Sequence, residues 1–244
     1  MPSYFPIVQK AVWIVCLMIV CTLWGRQEVL SSPRSRQAIA GVKPGLQSAL
    51  DEKNLLWGAN IYMRIFKQEK QLEVWLKSDS TFQLFKTYAV CTWGSGTLGP
   101  KLRQGDGQAP EGFYTVAPEQ LNPSSTFHLS FNLGYPNRYD RAHKRTGSAL
   151  MVHGDCVSIG CYAMTNEKIE EIYALADAAF RFGQKSFQVH IFPFRMTDGN
   201  LQEQTSSTWY DFWENLKTGY DLFAEHGTPP DVQVRDGNYV FESP

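Results

Sequence analysis

Three stretches in the first half of the chain alternate apolar and polar residues with period two: NIYMRIFK (60–67), QLEVWLKS (71–78) and STFQLFKTYAVC (80–91). Successive side chains of a strand point to opposite faces, so this alternation predicts half-buried β-strands. Short polar turns such as Gln68-Glu69-Lys70 separate them, which predicts an antiparallel meander. Residues 92–112 are rich in glycine with two prolines and read as a long loop, a length often given over to function. GFYTVA (112–117), TFHLSFNLGYP (126–136), SALMVHG (148–154) and CVSIGCYAM (156–164) read as further strands, with a polar loop NRYDRAHKRTG before the third.

After Thr165 the period changes. Ile169, Ile172, Tyr173, Ala176, Ala179 and Phe180 recur at helical spacing, with Thr165 as N-cap and Gly183 at the C-terminal end. SFQVHIFPF (186–194) is a strand ended by Pro193. Residues 206–227 are a second helix, with a break expected at Gly219. DVQVRDGNYVF (231–241) is a hairpin turning at Asp236-Gly237. A short helix is expected over Leu46–Trp57. The predicted fold class is mainly β (α+β), one domain over 46–244 with helices concentrated in its C-terminal third.

The first 25 residues differ. A charge-free apolar run lies between Lys10 and Arg26. Its length suits the core of a signal peptide and falls short of the ~20 residues that span a bilayer. Residues 1–25 are therefore expected to be a signal peptide or N-terminal membrane anchor, and the polar, Ser/Pro/Gly-containing residues 26–45 a linker. The chain has 244 residues, 43% of them apolar, and a net charge of -1, enough for a packed core. No basic stripe points to nucleic acid, and membrane contact is expected only through the N-terminal segment.

Export changes the cysteine arithmetic. Cys16 and Cys21 fall in the leader, leaving Cys91, Cys156 and Cys161, an odd number. One thiol must stay free or pair with another chain. The stretch MVHGDCVSIGCYAMT (151–165) then admits three readings. A structural zinc would take His153, Cys156 and Cys161, with His190 or Cys91 as a distant fourth ligand. A disulfide could join Cys156 to Cys161, or Cys91 to Cys156 with Cys161 left over; sequence alone does not choose. The third reading is a Cys161 nucleophile with His153 as proton acceptor, Gly160 letting the chain bend, and Ser158 orienting the imidazole or the substrate. The odd count and the paired glycines favour the third, with no metal and no cofactor.

The signature HGDCVSIGCYAMT resembles the His-Gly…Ser-x-Gly-Cys motif of the YkuD-type L,D-transpeptidases, most closely their branch typified by YafK and DpaA. LGPKLRQGDGQAPEGFY (98–114), LGYPNRYDRAH (133–143) and FPFRMTD (192–198) agree with it, so the resemblance runs from about residue 58 to 241. It implies a β-sandwich or barrel with C-terminal helices packed on it. It also implies a periplasmic enzyme acting on peptidoglycan stem peptides. Cys161 would attack a carbonyl next to meso-diaminopimelate and form a thioester, with His153 as base and Ser158 and Gly160 around the oxyanion. Amine or water then takes the acyl group, and in this branch water would release a murein-linked outer-membrane lipoprotein. Two features depart from the family pattern: His153 and Cys161 are eight residues apart where well over ten is usual, and Ile159 and Ala163 stand where a histidine and an arginine are usual. The competing readings are a non-catalytic peptidoglycan-binding module and a zinc-structured one.

Arg138 and Arg141 are candidates to hold a diaminopimelate carboxylate, against a plain surface role, and Lys101 and Arg103 share that ambiguity. Tyr135 and Tyr162 could border a pocket, against buried sheet packing. Pro110 and Gly112 read as a turn into the next strand. His128, His143, His190 and His226 have no local partner that recommends them. Trp209, Tyr210, Phe212 and Trp213 fit a helix packed on the sheet.

Overall fold

The computed structural model describes residues 28–242; the apolar run expected as leader or anchor lies outside them. The three period-two stretches are strands β1 (Ile61–Phe66), β2 (Gln71–Ser78) and β3 (Thr81–Ala89), paired antiparallel in chain order. They form one side of a five-stranded sheet of order β3-β2-β1-β10-β5, which adds β10 (Phe187–Phe192) and β5 (Gly112–Val116). β10 runs parallel to β1 and antiparallel to β5.

A second sheet has the order β4-β9-β8-β7-β6. Its strands are short: β4 (Thr92–Trp93), β6 (Leu121–Asn122), β7 (Ser130–Asn132), β8 (Met151–His153) and β9 (Tyr162–Ala163). The longer strands expected over 126–136 and 156–164 are cut to these lengths. His128, Asp155 and Cys156 adopt left-handed backbone, at φ of 64°, 65° and 50°, which no ladder accommodates. β8 and β9 run parallel, so the mainly β fold carries a parallel pair in each sheet. The expected hairpin is present as β11 (Asp231–Arg235) and β12 (Asn238–Glu242).

One apolar core draws on both sheets, through residues such as Ile61, Met63 and Ile65 of β1, Tyr114 of β5, Phe131 of β7, Val152 of β8 and Val189 of β10. The alternate residues of β1 and β10 face a second cluster, Phe66, Phe113, Phe192, Trp213, Leu216 and Tyr239. Both faces of β1 are therefore covered, and all six of its residues are buried. The buried Arg64 guanidinium is held by Glu73 at 3.0 and 2.8 Å and ringed by Phe66, Trp75, Tyr220 and Phe223.

The helices are α1 (Pro33–Asp51), α2 (Arg138–Ala142), α3 (Asn166–Arg181), α4 (Asp198–Gln202) and α5 (Tyr210–His226). The helix expected after Thr165 is α3, with the Thr165 hydroxyl accepting from Lys168 N–H and Gly183 at φ 107° beyond the last turn. The linker expected over 26–45 is instead largely α1, and the folded unit begins before residue 46. Ser32 caps this helix, Pro33 occupies its first turn, and Ser35, Ala38, Leu46 and Leu50 are buried. The small polar face of α1 masked its amphipathicity, and the helix expected at 46–57 is only its last turns. The break expected at Gly219 does not occur: α5 runs through it. Glycine is there for closeness, because a Cβ would stand 2.5 Å from Phe241 and 2.7 Å from Phe113.

Two outcomes follow from the packing. Gly219→Ala gains about 1 kcal/mol of helix propensity but forces the buried Phe113 ring and the part-buried Phe241 ring to move, which costs about 1–3 kcal/mol. Its urea midpoint is expected to fall below that of the parent; a rise contradicts the close approach. His190 is enclosed, with Nδ1 2.6 Å from the Tyr62 hydroxyl and Nε2 2.7 Å from Gln188 Oε1. Burial, and then the Arg64 charge, hold its pKa well below the ordinary 6.5. The unfolded chain takes up a proton below pH 6.5 that folded His190 refuses. Stability is therefore full above pH 6.5 and declines below it by at most about 1.4 kcal/mol per pH unit from this group. Urea titrations of the parent and His190→Gln at pH 5 and 7.5 should show the smaller decline in the variant.

Candidate active site

The stretch from Met151 to Met164 folds as β8, a tight turn and β9. In the parallel register Val152 faces Tyr162 and His153 faces Ala163. Paired residues share a face and faces alternate along each strand. The side chains of Met151, His153, Cys161 and Ala163 thus belong to one face, with Cys161 across from Met151 and His153 one side-chain row further.

The first three residues of the turn are fastened through their N–H groups. Gly154 N–H donates to the Phe127 and Leu129 carbonyls, Asp155 N–H to Asn166 Oδ1, and Cys156 N–H to the Met164 carbonyl. Gly154 packs so closely that a Cβ would lie 2.5 Å from Asn166 Oδ1 and 3.1 Å from the Phe127 carbonyl. Cys156 is bonded to Cys91, whose N–H donates to Ala163. This pairing leaves Cys161 as the free thiol among the described residues. It also removes Cys156 as a thiolate ligand, so the zinc reading of His153, Cys156 and Cys161 is corrected. The reason is covalent: a sulfur in a disulfide has no charge to give a metal.

The Ser158 hydroxyl donates to the Cys161 carbonyl at 2.6 Å and accepts from Gly160 N–H at 3.0 Å. Both groups expected around an oxyanion are thus engaged with the turn itself, and their role here is orientation. Gly160 lies under the Gly-rich loop, where a Cβ would stand 3.3 Å from the Gln108 carbonyl. The Cys161 N–H, by contrast, has no protein acceptor among the described residues.

His153 is only 1% exposed, and the Phe127 ring lies over it with centroids 4.6 Å apart. Its Nδ1–H donates to the Gly154 carbonyl at 2.6 Å, which leaves Nε2 as the acceptor. Burial lowers the imidazole pKa, and the Gly154 hydrogen bond and Asp155 oppose it. Cys161 is part-buried. Its Sγ accepts from Met151 N–H at 3.4 Å and donates to the Ala149 carbonyl at 3.6 Å. Burial pushes the thiol up, against the Met151 N–H and the Lys101 charge. At neutral pH the pair is therefore imidazole and thiol. Among the described residues no hydrogen bond joins them.

Behind the turn lies the Gly-rich loop, whose anchors the sequence did not reveal. Glu111 and Lys67 are fully buried and meet at 2.8 Å. Glu111 also accepts from Gly99 N–H and Trp213 Nε1, and Lys67 donates to the Gly99 and Ala109 carbonyls. Lys101 bonds Asp106 at 2.6 Å, and turn N–H groups hold the Asp106 carboxyl down to about 2. Lys101 is thus a loop anchor whose charge still reaches Cys161, while Arg103 is exposed. A buried ion pair and its neutral partners, spread over residues 67, 99, 111 and 213, leave no local pattern to read. Glu111 shows itself only as the acid in the quoted APEG segment.

Three expected site residues lie elsewhere. Tyr162 is fully buried, its hydroxyl donating to the Pro110 carbonyl at 2.7 Å, so it braces the loop. Arg138 and Arg141 line a separate cleft that contains neither Cys161 nor His153. Helix α2 turns them away from β8, while its Asp140 pairs inward with Arg145 at 2.9 Å. His128 is paired with Glu170 at 2.7 Å.

The chain is 50% identical over 192 residues to "Putative L,D-transpeptidase YafK" of Escherichia coli K12, covering 79% of this chain and 78% of the relative. The same figures hold for the protein of that name in Escherichia coli O157:H7. Among solved structures, a mutant of the helical cell shape determining protein Pgp2 from Campylobacter jejuni aligns with a TM-score of 0.46 and 21% identity, over 70% of this chain and 60% of that one. Residues 61–191 match the L,D-transpeptidase catalytic domain named YkuD, and this chain belongs to that family.

Proposed function

We propose that this chain is an exported cysteine acyltransferase acting on peptidoglycan stem peptides, with Cys161 as nucleophile and His153 as its base. The observation that carries the reading is the free Cys161 thiol, one side-chain row from the unprotonated Nε2 face of His153, on a turn whose other cysteine is covalently occupied. When substrate binds, the thiol leaves the Ala149 carbonyl and gives its proton to His153 Nε2. Catalytic hydrogen bonds commonly tighten only in the complex. The thiolate attacks a carbonyl next to meso-diaminopimelate, and the Cys161 N–H receives the oxyanion. His153 then protonates the leaving amine, and a thioester remains.

The acceptor is water or an amine. Ile159 and Ala163 stand where the family usually has a histidine and an arginine, and neither side chain can hold an acceptor's carboxylate. An acceptor amine left without that hold competes poorly with water, which favours hydrolysis and release of a murein-linked lipoprotein. The Cys91–Cys156 disulfide agrees with an oxidising compartment and hence with the periplasm.

The thioester is tested by intact mass. Parent protein with defined diaminopimelate-containing muropeptides should gain one acyl group on Cys161, and Cys161→Ala none. Product masses separate water from amine as acceptor. A Cys161→Ala protein that still processes these muropeptides sinks the proposal. The pH dependence is set by the same two groups. The imidazole must be neutral to accept, and its pKa lies below 6.5. The acid limb of kcat/KM is therefore expected below pH 6.5, with activity lost as pH falls through it. The thiol ionises above 9.0 in the free protein, so iodoacetamide should alkylate Cys161 slowly at pH 7–8 and faster above pH 9. Fast alkylation at pH 7 means a preformed ion pair instead.

A further inference from the structure

We infer that the cleft between the free edge of β5 and the β11–β12 hairpin binds an extended peptide that carries carboxylates and small side chains. With the cell-wall reading above, on which only the peptide's identity rests, that is the stem peptide of peptidoglycan. The cleft has a volume of about 450 Å³, within the range of roughly 300–1,000 Å³ typical of ligand sites.

The backbone supplies the first argument. β5 is the outer strand of its sheet. Phe113 N–H donates to the Tyr239 hydroxyl, and the Phe113 carbonyl accepts from Asn137 Nδ2 at 2.9 Å, so both point away from β10. Hydrogen-bonding direction repeats every second residue of an antiparallel strand. Thr115, two residues on, therefore presents its N–H and C=O the same way, and among the described residues neither has a partner. An open pair of this kind is a template for one more strand.

Charge supplies the second. Arg138 is exposed and makes no hydrogen bond or ion pair among the described residues, and Arg141 uses one Nη on the Pro136 carbonyl, leaving its other donors open. Two guanidinium groups beside an open strand edge suit carboxylates on an extended chain. Val232 and Val234 give the wall a half-buried apolar surface suited to small side chains, and Asp231 offers a carboxylate to an ammonium group. Reach is the third. Leu133, in the cleft lining, donates to the Leu150 carbonyl at 2.9 Å, and Leu150 adjoins Gly160. Two strand spacings of ~4.8 Å put the Leu133 backbone, at one end of the cleft, about 10 Å from the Cys161 turn. An extended four-residue peptide spans about 13 Å, enough to run from that end of the cleft toward the turn.

The test uses full-length Cys161→Ala protein, so that nothing is turned over, and calorimetric titration with a soluble stem tetrapeptide. The double variant Arg138→Ala/Arg141→Ala should bind about tenfold more weakly or worse, the loss expected for one or more charge-assisted hydrogen bonds. Thr115→Pro, which deletes the edge N–H, should weaken binding too; where it fails to fold, the exposed arginine pair decides alone. In active protein the arginine variant should raise KM and keep kcat. Unchanged affinity in the arginine variant overturns the cleft. Equal binding of a linear L-peptide of alternating Glu and Ala overturns the stem-peptide identity. Tetrapeptide binding that depends on the arginines, without any thioester on the parent Cys161, upholds the cleft and overturns acyl transfer.

Discussion

The Lys67–Glu111 ion pair is the constraint on which the rest of the site leans. Both side chains are fully buried, a placement that costs several kcal/mol per ion unless every remaining donor and acceptor is filled. Here they are filled by three residues from two parts of the chain: Gly99 and Ala109 of the Gly-rich loop, and Trp213 of α5. The pair therefore converts a flexible loop into a wall of fixed shape. That wall presents the Pro110 carbonyl to the Tyr162 hydroxyl and the Gln108 carbonyl to Gly160, the residues flanking Cys161. Removing one partner leaves a buried unpaired charge, worth about 3–5 kcal/mol, so the wall stands or collapses as a unit.

Against this wall the turn from Gly154 to Gly160 has little freedom. The N–H groups of Gly154, Asp155 and Cys156 are taken by neighbouring carbonyls and Asn166, the Ser158 hydroxyl bridges two residues, and Cys156 is covalently tied. Closing a loop of 65 residues removes unfolded-state entropy worth about 4 kcal/mol. The local effect matters as much: the tie lies five residues before the free thiol. Asp155, Cys156, Val157 and Ile159 are exposed on the turn, so it meets solvent with a carboxylate and two apolar side chains beside the disulfide. The imidazole is shielded by Phe127 on one side and oriented by its own neighbouring carbonyl on the other.

Much of this was legible in the sequence because it is local. Period-two alternation located β1, β2 and β3, and period 3.6 with a Thr165 cap located α3. The free thiol was legible as arithmetic, since three cysteines cannot all pair within one chain. What the sequence hid is what depends on contact at a distance. α1 buries Ser35 and Ala38 against other elements, and small polar residues give no apolar stripe. Gly219 reads as a helix breaker until the rings of Phe113 and Phe241 are known to lie against it. Arg138 and Arg141 precede His153 closely in sequence, yet a five-residue helix carries them to another face. The parallel pairing of β1 with β10 joins residues more than 120 positions apart.

The order of the cysteines along the chain has a consequence for biogenesis. Among the described residues, a polypeptide that emerges amino-terminus first exposes Cys91, then Cys156, and Cys161 five residues later. An oxidant acting as the chain appears meets the native couple before the last of these three sulfurs arrives, so the order of emergence itself favours the native pairing over one that consumes Cys161.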